Sequence, residues 1–173
     1  PDGTKSWFDL RMDPVKEGVF ILSVDITERK KAEEELGNIR SLLNETSKLA
    51  KIGGWELDVA KMKQKWTDAT YAIHDREKGM YDPNSTEELS RFEPGSNELI
   101  SRAFQEALEQ GKPYDLEVEM KTIKGNRKWV RAMCMPVVIG VKVNKLKGTV
   151  QDITERKRAE EMELELTKVR ELD

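Results

Sequence analysis

The stretch VDITERKKAEEEL at Val24–Leu36 and its near copy QDITERKRAEEME at Gln151–Glu163 decide how this chain is read. In each copy an Asp (Asp25, Asp152) is followed two residues later by Thr (Thr27, Thr154) and three residues later by Glu (Glu28, Glu155). Asp with Glu three positions on is the acidic form of a capping box, in which each side chain answers an orphan backbone N–H of a helix's first turn. A strand is therefore expected to end, and a helix to begin, at both places. One such cap is commonplace; the same cap written twice is a repeat.

The repeat extends upstream. DGTKSWFDLRMDPV (Asp2–Val15) resembles KGNRKWVRAMCMPV (Lys124–Val137): each has a Gly turn, a basic stretch before Trp, a strand and Pro-Val. From Trp to Asp the second copy is five residues longer, which points to a longer hairpin loop. Residues 1–25 thus read as the C-terminal hairpin of a preceding, truncated domain, 26–50 as a linker helix, 51–153 as a complete domain and 154–173 as an exit helix. The start PDGTKSW, without Met, suits a piece of a longer protein. A hairpin without its domain has open edges, and is expected to be disordered or to exchange strands with a second chain.

The first copy also resolves the second. Phe8, Leu10 and Met12 alternate with Asp9, Arg11 and Asp13, so by correspondence Val130, Ala132 and Cys134 point to the core. Trp129, Met133 and Met135 then lie on the outer face, either as a partner surface or beneath the chain's own flanking helix.

The composition sets limits. The 173 residues suffice for one domain and a fraction. Charged residues at 36% against 37% hydrophobic ones imply a modest core and exposed helices. A net charge of −3 gives no field for nucleic acid. No run of about 18 apolar residues suggests direct membrane contact. A single cysteine, Cys134, excludes an intrachain disulfide and suits a reducing, cytoplasmic setting.

Between the copies, GGWELDVAK and KQKWTDA read as two strands joined by a tight turn. Thr67–Ile73 reads as a short helix capped by Thr67 or Asp68, and NSTEELSRF as another, capped by Ser85 or Thr86. In SNELISRAFQEALEQG, Leu99, Ile100, Ala103, Phe104, Ala107 and Leu108 share one helical face, which Gly111 ends. Leu116, Val118 and Met120 alternate with Asp115, Glu117 and Glu119 as the first strand of a hairpin, and a last strand runs near Lys145–Gln151.

After the first cap, Ala32, Leu36, Ile39, Leu43, Thr46 and Ala50 step by four and three, the seam of a coiled coil. Ala159, Met162, Leu166 and Val169 do the same after the second. Each stripe either packs on its own domain or makes a parallel homodimer.

With GGWELD, KGNRKWVRAMCMPV and GTVQDITERKRAE in this order, the chain resembles a PAS domain of the tandem-PAS prokaryotic sensor type, over Leu49–Lys157, with the end of a preceding one at Pro1–Lys30. The resemblance implies an α+β fold: a five-stranded antiparallel sheet with short helices on one face, enclosing a small cavity, flanked by coiled-coil-like helices. It implies that Asp152 and Thr154, with Glu155, join sheet to exit helix, and that Asp25, Thr27 and Glu28 match them. It also implies neighbouring PAS and output domains in one chain, most naturally a sensor histidine kinase of a two-component system. The family's HPDD segment is replaced by FEPGS at Phe92–Ser96, so the roles of its His and Asp residues are not carried over.

No P-loop, dinucleotide fingerprint, HExxH, CxxC or nucleophile elbow is present, so the piece itself is not expected to be an enzyme. The one histidine, His74, reads as a surface or capping residue; haem is disfavoured because residues 96–110 hold no His. Covalent flavin is disfavoured because Cys134 sits on a late strand, where it reads as core. No cofactor is required. Trp55, Trp66, Tyr71, Phe92, Phe104, Val118, Ala132 and Cys134 are the candidate pocket for a small ligand. Leu36, Ile39, Leu43, Trp129, Met133 and Met135 are the candidate dimer surface. The function expected is a sensory, signal-transmitting module. Its alternatives are a ligand-free dimerisation spacer and a small-molecule or flavin sensor with redox output.

Overall fold

The structure is a computed structural model and describes residues 5–84 and 86–170. The cap expected from Ser85 or the Thr86 side chain lies outside the described residues, as do the ends of the expected hairpin and exit helix. The chain divides into two compact units, Pro1–Glu45 and Thr46–Asp173.

In the first unit, β1 (Phe8–Val15) and β2 (Gly18–Asp25) form an antiparallel hairpin from which α1 (Thr27–Leu49) departs. Every residue of β2 is exposed, and α1 buries none. Helix α1 begins and ends within one residue of the linker helix expected at 26–50.

The second unit carries β3 (Ile52–Asp58), β4 (Lys63–Trp66), α2 (Asp68–Ile73), a 3-10 turn (Thr86–Arg91), α3 (Pro94–Gln110), β5 (Tyr114–Lys121), β6 (Arg127–Ile139), β7 (Lys142–Asp152) and α4 (Thr154–Arg170). Its five strands pair antiparallel in the order β4-β3-β7-β6-β5. Among the described residues no helix is long and apolar enough to cross a membrane.

The two hairpins keep one register. Phe8 opposes Asp25 as Val130 opposes Asp152. Both turns have two residues, Lys16-Glu17 and Gly140-Val141, so the longer loop expected in the second copy is absent. The five extra residues lengthen the ladder from eight pairs to ten and leave one over. That residue, Asn144, is the bulge opposite Val137/Val138. An odd insertion between strands of fixed register requires such a bulge.

Helix starts depart from the expected caps for local reasons. Thr67 precedes α2, but its hydroxyl accepts from the Gly54 N–H (2.9 Å) and does not cap the helix. Thr70 donates to the Gly54 carbonyl (2.8 Å), so both threonines fasten α2 to β3. Helix α3 starts at Pro94, whose fixed φ suits a first turn, while the Ser96 hydroxyl accepts from the Glu119 N–H (2.9 Å) and ties the helix to β5. Gly111, at φ 65°, ends α3 in the left-handed region.

Two groups of buried residues fill the inner face. Ile73, Ile100, Val118, Met120, Val130, Ala132 and Val150 form one, and Leu57, Ala107, Cys134 and Leu146 the other. An inner row crosses all five strands between them: Trp66, Trp55, Gly148, Cys134 and Tyr114. Gly148 is what lets the Trp55 ring lie flat in that row. A Cβ there would stand 2.1 Å from the Met133 carbonyl oxygen and 2.5 Å from the ring.

Gly148→Ala should therefore cost about 1–3 kcal/mol, because the carbonyl cannot move without breaking the ladder. Gly95→Ala, facing open space in α3, should change stability by less than about 0.5 kcal/mol. Urea denaturation of both variants checks this; a Gly148→Ala protein as stable as its parent contradicts the row packing.

Candidate functional site

Two places in the second unit bring polar chemistry together: the sheet-to-helix junction and a cavity that opens to solvent.

At the junction, the Asp152 carboxylate oxygen Oδ1 accepts from the Thr154 N–H (3.0 Å) and from its hydroxyl (2.5 Å). The Thr154 Oγ1 in turn accepts from the Trp129 N–H (3.1 Å), and the Ile153 N–H donates to the Trp129 carbonyl (2.9 Å). The backbone of Trp129 is thus gripped on both its groups by the two residues that leave β7. Ile153 is buried, and the Lys157 N–H donates to its carbonyl (3.0 Å), the first helical bond of α4. The first unit repeats the arrangement. Trp7 N–H donates to Thr27 Oγ1 (2.8 Å), Ile26 N–H to Trp7 O (2.9 Å) and Thr27 N–H to Asp25 Oδ1 (2.9 Å). The Thr27 hydrogen bonds hold the exposed Asp25 carboxyl below its ordinary range.

The capping box expected from Glu28 and Glu155 does not form. Glu155 meets the Lys51 ammonium (2.7 Å), and the Asp152 N–H donates to the Lys51 carbonyl (3.0 Å). Among the described residues no hydrogen bond joins Glu28 to the Asp25 backbone. Asp reaches an N–H two residues on, an Asx turn, and at the second junction the Asp152 N–H that Glu155 would have sought is already given to the Lys51 carbonyl.

The first turn of α4 also leans on the outer face of the sheet. Glu117 of β5 pairs with Lys157 (2.6 Å) and with Arg156, and the Lys157 ammonium lies 5.1 Å from the Trp129 ring centre. Trp129 and Met133 are half-buried, while Met135 is 65% exposed. On α1, Leu36, Ile39 and Leu43 are exposed.

The cavity, about 210 Å³, lies between the inner face of the sheet and the helices. Trp55, Trp66, Phe92, Phe104 and Ala132 line it, together with Ile100, Val130, Val150 and Leu89. Three expected residues do not. Tyr71 is one position round α2 from Thr70 and turns its ring onto the edge of Trp66 (5.3 Å between centres). Val118 is fully buried in the core group beneath β5. Cys134 packs with Leu57, Ala107 and Leu146, and burial pushes its thiol up to about 11, which keeps it unreactive. Its cross-strand neighbour Tyr114 does line the cavity, and burial raises its hydroxyl's pKa strongly.

The polar end of the cavity is where the sequence reading failed. His74, expected at the surface, is 7% exposed. Its Nδ1 is 2.8 Å from Glu88 Oε2, and Glu88 Oε1 accepts from Arg76 Nε (2.7 Å). Burial alone would raise the Glu88 carboxyl, but the hydrogen bonds of His74 and Arg76 and the guanidinium charge outweigh it and hold it below the ordinary range. The Trp66 ring lies over His74, 4.7 Å between centres. Next along, Asp75 adopts φ 56° and accepts from Thr122 Oγ1 (2.6 Å), Asn126 Nδ2 (2.8 Å) and Lys128 Nζ (3.1 Å). It clamps the end of α2 to the β5–β6 turn. Again burial would raise the carboxyl and these bonds lower it. No motif spacing joins His74 to Glu88, which sit on separate elements; the crowding of Trp66, Tyr71 and Tyr81 around one His was the only available signal.

No model of a known protein family matches the chain, and no curated protein matches it. Solved structures do. The chain is similar to a sensory box histidine kinase/response regulator from Burkholderia thailandensis, at TM-score 0.59 and 19% identity over 75% of this chain and 98% of that one. It is similar to the N-terminal domain of a diguanylate cyclase with PAS/PAC sensor from Marinobacter aquaeolei, at 0.54 and 18% over 61% and 98%. A PAS domain from Colwellia psychrerythraea gives 0.50 and 18% over 68% and 98%. The five-stranded unit has the PAS fold.

Within it, the depressed carboxyls of Glu88 and Asp75 set a pH dependence. A carboxyl lowered by folding contributes stability that is complete above its ordinary value near 4 and is lost as pH falls through the lowered one. Glu88→Gln should cost about 1.5–3 kcal/mol at pH 7 and flatten the decline of stability below about pH 4. Thermal melts of both proteins between pH 7 and pH 3 check this; an unchanged pH profile contradicts the assigned role.

Proposed function

We propose that this chain is a signal-transmitting module of a larger receptor, in which a change in the PAS core reaches the exit helix α4 through Asp152 and Thr154. The observation that carries the reading is the grip on Trp129. Its backbone belongs to β6, whose next residues, Val130 and Ala132, are cavity walls, while its N–H and carbonyl hold Thr154 and Ile153. A shift of β6 on its inner side therefore moves the anchor of α4 directly. Glu155, held by Lys51, and Glu117, held by Lys157 and Arg156, steer the helix as it leaves.

In this reading the module works as a homodimer, through the Leu36, Ile39 and Leu43 stripe and the outer face at Trp129, Met133 and Met135. A second copy of the junction at Asp25, Thr27 and Glu28 serves a preceding PAS unit of the same polypeptide, whose hairpin seeks its strand partners there. The names of the similar structures, a histidine kinase and a diguanylate cyclase, favour an output domain elsewhere in the parent, with a kinase as our choice. The chain itself performs no catalysis, and a cytoplasmic setting suits its one buried thiol.

A double-mutant cycle tests the relay. Ala132→Ile pushes into the cavity, and Thr154→Val cuts the link to Trp129. Hydrogen exchange of residues 155–165 should respond to Ala132→Ile when Thr154 is intact and not when it is Val, a coupling of about 0.5–2 kcal/mol. An equal response in both backgrounds, or none in either, overturns the relay in favour of a passive spacer.

A further inference from the structure

We propose that the cavity takes a small, uncharged, planar aromatic molecule carrying one N–H or O–H donor, which it gives to Nε2 of His74. The inference deepens the relay reading by naming what would bias the core, and rests on it for that consequence and not for binding itself.

The size comes first. A volume of about 210 Å³ falls below the roughly 300–1,000 Å³ of pockets for drug-sized ligands, and suits one or two fused rings. Shape comes from the walls. Trp55, Trp66, Phe92 and Phe104 surround the space, with Trp55 and Phe104 inclined at 41° and 6.3 Å apart, a lining that favours a flat aromatic guest.

Polarity comes from the cluster at one end. Glu88 accepts from His74 on one oxygen and from Arg76 on the other. Arg76 also meets Glu87 (2.7 Å), which pairs with Arg91 (2.7 Å). Two carboxylates thus face two guanidiniums, and the cluster is balanced without a charge on the imidazole. A further buried cation there would be uncompensated, as would a charged ligand. The ring is therefore neutral. An ionised Glu88 is an acceptor only, so the proton sits on Nδ1 and Nε2 keeps its lone pair.

His74 lines the cavity with its side chain 8% exposed, and among the described residues Nε2 has no hydrogen-bond partner. Three other polar residues of the lining, Thr70, Asn84 and Gln64, are occupied. Thr70 donates to Gly54, and the Asn84 carbonyl oxygen accepts from the Gln64 N–H (2.5 Å). The Gln64 amide, oriented to satisfy both neighbours, accepts from Trp66 Nε1 (3.0 Å) and donates to the Pro83 carbonyl (2.8 Å). An acceptor that a bound guest would cut off from water is a strong discriminator, because a guest of equal shape without the donor leaves it unpaired.

The test uses indole and benzofuran, near-identical in shape, the second having oxygen where the first has N–H. The chain has one histidine, so ¹⁵N-imidazole spectra report His74 alone. The free protein should show the Nδ1-protonated tautomer. Indole should bind saturably, move the Nε2 resonance and outbind benzofuran by about tenfold or more. His74→Phe should erase that preference. Because it strips Glu88 of a partner, Ala132→Ile serves as a second variant, keeping His74 while filling the space, and should weaken both probes together. Equal affinities, no saturable binding, the opposite tautomer or unchanged binding in Ala132→Ile would overturn the proposal. The tautomer and the relative affinities of the two probes leave the exchange cycle on Thr154 untouched, so the ligand class and the relay fail separately.

Discussion

The structure depends on one hydroxyl. Thr154 Oγ1 accepts from the Trp129 N–H and donates a hydrogen bond to Asp152, while the neighbouring Ile153 N–H donates to the Trp129 carbonyl. Trp129 lies one residue beyond the last β6–β7 pair, Val130 with Asp152, where a ladder would otherwise end with open backbone groups. Closing them with the first residues of a helix makes the end of the sheet and the start of α4 a single hydrogen-bonded object. The same closure at Trp7, Ile26 and Thr27 shows that it belongs to the motif and needs no help from the rest of the domain.

From that anchor the sheet is built outward. The Trp129 side chain faces out, under Lys157, and so Val130, Ala132 and Cys134 face in. Further along, Gly148 leaves room for Trp55, and the aromatic rings that gather in that row, joined by Phe92 and Phe104, wall the cavity. Cavity and junction then share one strand, β6, and this shared strand is the reason a packing event on the inner face has a short path to the helix outside.

The strands, the long helix α3 and the core face of β6 were legible because alternation and helical periodicity are local, and because the truncated first copy displayed the face choice without ambiguity. The junction was legible as a place but not as a mechanism. Asp25 and Asp152 with Glu three residues on spell a capping box, yet each Asp turns to the Thr two residues on, and at the second junction the Asp152 N–H is already paired with Lys51, to which Glu155 also turns. The length difference between hairpins was visible, but only the fixed register converts an odd insertion into a bulge at Asn144. His74 was misread for a similar reason: burial of a titratable group depends on partners brought from elsewhere in the chain, here Glu88 and Arg76, and no spacing announces them. Tyr71, Val118 and Cys134 were placed in the pocket on residue type, whereas the turn of α2 and the packing beneath β5 and β6 assign them to solid core.

The most direct test of the central claim is native-state hydrogen exchange of two amides, Trp129 and Ile153, in the intact chain. If sheet and helix start form one unit, both should exchange with the same free energy as the amides at the centre of the sheet, such as Ala132 and Val150, while the far end of α4 exchanges sooner. Exchange of Ile153 and Trp129 together with the fraying end of α4 would contradict the account.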